Sequence, residues 1–210
     1  MKATDAYARL RALGLPVVST ADVAAALGET VNAAQKTLSR IAAASLIVPL
    51  RRGLWAMSPR LDPLLVAEHL TAPLLSYVSL QTALHEHGMI EQIPALIYVV
   101  SLDRSREIAT SAGTFSIHRV TPEIFGGFDI TATGVRLARP EKALFDVFYL
   151  SATRDRRFAS LPELTLPRGF DRARLRAWSA RVTSPTLRKI VEQKIAGLPR
   201  AMGRRYESSA

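Results

Sequence analysis

The stretch LIVPLRRGLWAM, Leu46–Met57, sets two apolar runs on either side of a double arginine. A chain reversal here needs Gly53, which reaches positive φ without a Cβ clash, but uncharged polar neighbours would serve equally well beside it. The flanks Leu46–Val48 and Leu54–Trp55 are β-prone and predict two short strands joined by a hairpin. Arg51 and Arg52 are thereby carried outward on the tip of a ribbon, where they suit an anionic partner.

Three helical segments precede the hairpin. Ala3–Leu13 is stopped by Gly14 and Pro16. Val17-Val18 is a short extended piece, after which Ser19-Thr20 offers hydroxyl caps for Ala21–Leu27, ended by Gly28. Thr30 caps a third helix, Val31–Ala44, in which Val31, Ala34, Leu38 and Ile41 follow the spacing of one buried stripe. The opposite face carries Asn32, Gln35, Lys36, Ser39 and Arg40.

A tight turn between two helices, Gly28-Glu29-Thr30, is what a helix-turn-helix requires. Asn32 and Gln35 can pair bidentately with adenine, while Lys36 and Arg40 can address guanine or phosphate. A hairpin directly afterwards makes the expected fold of residues 1–60 a winged helix-turn-helix, with Arg51 and Arg52 at the wing tip against phosphate or in the minor groove. The competing reading is a three-helix bundle with a solvated polar face; the order helix, turn, helix, basic hairpin is the more specific signal.

Residues 61–210 predict an α+β domain with a small mixed sheet and C-terminal helices. Leu64–Leu70 is helix-like, and Ser79 can cap a helix running to His87, stopped by Gly88. Ala95–Ser101 is an apolar run short enough for a buried strand, Thr114–Val120 alternates as another, and Phe128–Thr131 and Val135–Ala138 are weaker ones. Arg139–Leu150 begins a helix at Pro140, and Asp171–Val182 and Pro185–Ala196 add two more. The tail after Pro199 is expected to be loose.

The 210-residue chain has 48% hydrophobic residues, enough for a real core, and no cysteine, which excludes disulfides and thiolate metal sites. Asp5, Arg9 and Arg11 interrupt any signal-peptide core, and no run is long enough to span a membrane. A cytoplasmic protein is the expectation. The net charge of +10 is unevenly spread: residues 1–60 and 136–210 are basic, whereas residues 61–135 are acidic. Basic ends flanking an acidic middle suggest separate surfaces for separate partners.

No catalytic signature stands out, and no cofactor is expected. His85 and His87 lie two apart, on different sides of a helix, so no metal is expected there. His87 suits a helix C-terminus. Glu141 and Asp146 are five apart and do not form an acid/base pair on one face; Asp146 is expected to pair with an arginine or to cap a loop. There is no P-loop, no dinucleotide-binding glycine turn and no nucleophile elbow, and Gly126-Gly127 reads as a loop.

Three longer segments carry a resemblance: LSRIAAASLIVPLRRGLWAMSP, YVSLQTALHEHGMIEQIP and VRLARPEKALFD. Together they resemble the AbiEi-type antitoxins of bacterial abortive-infection toxin–antitoxin pairs. Trp55 stands where a Tyr is usual in that family, a change expected to preserve packing. The resemblance implies an N-terminal domain, residues 1–60, that binds inverted repeats in double-stranded promoter DNA and represses its own operon. It also implies a second domain, residues 61–210, that counters a nucleotidyltransferase-like toxin. Lys36, Arg40, Arg51 and Arg52 stand where such proteins place DNA contacts; no toxin-facing residue carries over. Two alternatives remain at this point: a ligand-sensing winged-helix repressor without a toxin partner, and a nucleic-acid enzyme whose winged helix delivers substrate.

Overall fold

A computed structural model describes residues 3–153 and 163–198. The tail after Pro199 lies outside the described residues. The fold is mixed α+β, with a three-stranded and a six-stranded sheet. The chain divides into two compact units. One comprises the chain up to Ala72 together with Ile108–Phe115; the other comprises Pro73–Glu107 and the chain from Ser116 onward.

In the first unit, α1 (Ala3–Arg11), α2 (Thr20–Leu27) and α3 (Val31–Ala43) surround a core of Leu10, Val18, Val23, Ala34, Leu38, Ile41 and Trp55. The sheet comprises β1 (Val17–Ser19), β2 (Val48–Arg51) and β3 (Leu54–Ala56) in the order β1-β3-β2. Both pairings are antiparallel, with Val18 opposite Trp55 and Arg51 opposite Leu54. The extended piece at Val17 is therefore a true strand, fixed by a partner almost forty positions away. The expected Leu64–Leu70 helix is split, with a 3-10 turn over Pro63–Val66 leading into α4 (Ala67–Thr71).

The expected buried stripe of α3 is only partly correct. Ala34, Leu38 and Ile41 are buried, but Val31 is 55% exposed and Thr37 takes a place in the interior. Val31 opens the helix, and side chains tilt toward the N-terminus, so it projects past the last packed turn. The apolar spacing holds at Ala34, Leu38 and Ile41, and the helix end exempts Val31.

The compact first unit also extends past residue 60 and takes in the segment Ile108–Phe115. Within this unit, the Ser111 N–H donates to Leu50 O at 3.0 Å and its Oγ donates to Pro49 O at 2.8 Å. These bonds occupy carbonyls on β2, an edge strand whose unpaired groups would otherwise be open to other chains.

The larger sheet runs β6-β7-β5-β4-β9-β8, from β4 (Ser76–Val78), β5 (Ile97–Ser101), β6 (Arg106–Thr110), β7 (Gly113–Arg119), β8 (Phe128–Ile130) and β9 (Arg136–Ala138). β4 is antiparallel to β5 and parallel to β9, so the sheet is mixed. β4 and β6 carry no strong apolar alternation, and the sequence pattern alone does not predict them. In the second unit, α6 (Pro140–Ala152) packs against α5 (Leu80–Glu86), α7 (Arg172–Ser179) and α8 (Pro185–Ala196). Residues 141–148 of α6 are all buried, as suits a helix that is apolar around most of its circumference.

Candidate nucleic-acid interface

The α2–turn–α3 unit is set by local chemistry. Ser19 Oγ accepts from Asp22 N–H and Asp22 Oδ2 accepts from Ser19 N–H, each at 3.0 Å, a reciprocal capping box that starts α2. Gly28 ends the helix at φ 66°, the left-handed conformation that glycine adopts without steric cost. Thr30 Oγ1 then accepts from Ala33 N–H at 3.3 Å and opens α3 two residues later.

Because Ser19 serves as the cap, the Thr20 hydroxyl is released for another role. Trp55 Nε1 donates to Thr20 Oγ1 at 3.0 Å. Thr20 Oγ1 in turn donates to Gln35 Oε1 at 3.2 Å. A buried indole on β3, a hydroxyl at the start of α2 and an exposed amide on α3 thus form one chain of hydrogen bonds. The Thr20 N–H also donates to Gly53 O at 2.9 Å, tying the hairpin turn to the same helix end. Trp55 has a role beyond packing, since its N–H holds the Thr20 hydroxyl that bonds Gln35.

Asn32, Gln35, Lys36, Ser39, Arg40, Arg51 and Arg52 are all exposed. Asn32, Gln35, Arg51 and Arg52 border one cleft of about 540 Å3, which also includes Val31 and Thr20. Lys36, Ser39 and Arg40 lie further along α3, outside that cleft. Arg40 Nη2 donates to Thr37 Oγ1 at 3.2 Å, and Thr37 Oγ1 donates to Glu29 Oε2 at 3.2 Å, which tethers one guanidinium nitrogen beside the inter-helix turn. Among the described residues Lys36, Arg51 and Arg52 form no ion pair, so their charge is not neutralised internally. The β2–β3 turn is Arg52-Gly53, with Gly53 at φ 78°, while Arg51 ends β2.

The second unit holds a different polar centre. Lys142 and Asp146, one turn apart on α6, pair at 2.5 Å with 1% and 0% side-chain exposure. Asp146 Oδ2 also accepts from Ser79 Oγ at 2.7 Å and Tyr77 Oη at 3.1 Å, and Lys142 Nζ donates to Ile124 O at 2.7 Å. The ammonium lies 4.4 Å from the Trp178 ring centroid and 4.7 Å from that of Phe145. Burial lowers the Lys142 pKa and raises that of Asp146, with their mutual attraction opposing both shifts. Burial likewise holds the Tyr77 phenol well above its ordinary value, reinforced by the Asp146 charge.

This centre corrects two expectations. Asp146 pairs with a lysine on its own helix, not with an arginine or a loop. Ser79 occupies the N-cap position of α5, but its hydroxyl makes no cap because Asp146 takes it. Leu80 follows at φ 56°, a strained backbone for a residue with a Cβ. His87 does more than meet a helix dipole: its Nε2 donates to Ala138 O on β9 at 2.7 Å. The Lys142–Asp146 pair is almost fully enclosed and its polar atoms are bonded within the protein, which suits cross-linking of β4, α5 and α6 better than contact with a ligand.

Among the described residues, no group of three or more His, Asp or Glu comes together to hold a metal ion, and no helix is long and apolar enough to cross a membrane. No protein-family model matches this chain, and no curated protein matches it.

Proposed function

We propose that the first unit is a winged helix-turn-helix that binds double-stranded promoter DNA, with α3 in the major groove and the β2–β3 hairpin as the wing. The observation that carries this reading is the cleft that gathers the amides of Asn32 and Gln35 with the unpaired guanidinium groups of Arg51 and Arg52. Amides suit base edges and guanidinium groups suit phosphate, so one face combines sequence readout with electrostatic attachment. Lys36, Ser39 and Arg40 extend that face along α3.

The second half of the reading follows the motif resemblance. The chain is an antitoxin that represses its own operon through inverted repeats, and its second unit neutralises a nucleotidyltransferase-like toxin. Neither role requires catalysis by this chain.

The test is fluorescence anisotropy of the full chain on duplexes from the region upstream of its own gene, against a scrambled duplex of equal length. Tighter binding to one upstream segment, weakening linearly on a log–log plot against salt, supports DNA recognition. Equal binding to all duplexes removes the repressor assignment. Co-expression with the adjacent gene tests the antitoxin role: growth arrest by that gene alone and rescue by this chain are expected, and absence of arrest overturns it.

A further inference from the structure

We infer that Gln35 and Val31 together read thymine in the major groove, an assignment that rests on the DNA-binding reading above. Three observations lead to it. An indole N–H can only donate, so Thr20 Oγ1 must accept from Trp55 Nε1, at 3.0 Å. The Gln35 atom that faces Thr20 Oγ1, at 3.2 Å, is Oε1, an amide oxygen that can only accept, so the hydroxyl donates its proton there. The Gln35 NH2 group is therefore the end turned away from Thr20, and the side chain offers donors to whatever enters the cleft.

That orientation disfavours bidentate adenine recognition, which needs the amide oxygen and nitrogen presented side by side to the base. Gln35 instead seeks an acceptor. Thymine O4, guanine O6 and purine N7 all qualify, and Val31 distinguishes among them. It lies one turn before Gln35 on the same helix face, is 55% exposed, and borders the same cleft. Thymine alone sets a methyl group beside its major-groove acceptor. A donor flanked by an isopropyl group matches that pair of features, and more than half of this valine is open to whatever enters the cleft.

The experiment is selection of bound duplexes from a randomised library by the full chain, followed by binding to the enriched site with each thymine replaced in turn by uracil. The expected result is that one replacement weakens binding by about fourfold, the effect of one buried methyl-sized group. Val31→Ala should abolish that difference between thymine and uracil. Gln35→Glu retains an acceptor toward Thr20 and turns a second acceptor outward, so the enriched base should change from thymine to cytosine, whose N4 donates. An enriched site at which no thymine-to-uracil change matters, or at which Gln35→Glu keeps the same base, overturns the thymine assignment and leaves DNA binding intact. Absence of any enrichment removes both readings together.

Discussion

Lys142 Nζ meets Asp146 Oδ1 at 2.5 Å across one turn of α6, with the Tyr77 and Ser79 hydroxyls closing on the other carboxylate oxygen. Removing one member leaves the other charge buried and uncompensated. Lys142→Met should therefore destabilise the protein by about 3–5 kcal/mol. Lys142→Met combined with Asp146→Asn, which keeps an acceptor for both hydroxyls, should recover most of that loss. Denaturant titration of the two variants checks this, and equal midpoints for both would show that charge pairing is not what the site provides.

Tyr77 gives the pH dependence. Its folded-state pKa lies well above the ordinary phenol value of about 10. The folded chain then holds a proton that the unfolded chain releases, so this tyrosine contributes a loss of stability as pH rises above about 10 and none below it. Phenolate absorbance during alkaline titration should show Tyr77 ionising only as the fold is lost, and Tyr77→Phe should remove its share of the alkaline instability. Simple titration of every tyrosine near 10 would contradict the burial of this group.

Gly127 has φ 75°, and a Cβ there would lie 2.5 Å from Trp178 Cζ2 and 3.0 Å from Lys142 Cγ. Gly127→Ala combines left-handed backbone strain with overpacking and should cost about 2–4 kcal/mol. Because it displaces an indole lying over Lys142, near-ultraviolet circular dichroism should change as well. An unaltered aromatic signal with unchanged stability would mean the loop adjusts freely.

On the proposed DNA-binding role, charge reversal at the β2–β3 hairpin, Arg51→Glu with Arg52→Glu, should weaken binding to any duplex. If each arginine meets a phosphate, the log–log salt slope should fall in magnitude by about 1.8. On the proposed antitoxin role, the same variant of the whole chain should still rescue growth from the adjacent gene's product, since the second unit keeps its own core. An unchanged slope detaches the hairpin from DNA; loss of rescue with an intact fold joins the two functions.

Thr20→Val tests the hydrogen-bond chain beneath the cleft. Trp55 Nε1 loses its acceptor, which should cost about 1–3 kcal/mol. Gln35 also becomes free to rotate its amide, so discrimination among bases at its position should relax while binding to random duplex stays the same. Unaltered base preference would show that Thr20 does not orient Gln35.

How much was legible depended on how local the cause was. Gly28, Thr30 and Pro140 announce helix ends through their own backbone and side-chain chemistry, and α8 was placed to the residue. β4 and β6 were missed because three- and five-residue strands with Ser, Tyr, Arg and Glu carry little periodicity; their strand character comes from neighbours distant in sequence. The exposed face of α3 was readable from spacing, but the amide orientation of Gln35 was not, because it is held by the Thr20 hydroxyl, fifteen positions away. The Lys142–Asp146 spacing was a usable signal: two opposite charges one turn apart in an otherwise apolar helix are best accommodated by pairing.

The parallel match of Val78 with Leu137 links strands formed early and late in synthesis. At about 5–20 residues per second, the roughly 60 residues between them leave that edge of β4 open for some 3–12 s on the ribosome. The speed of translation across this interval thus enters the folding of the second unit. Synonymous codons there, silent in every contact described above, set how long a nascent sheet edge is exposed to other chains.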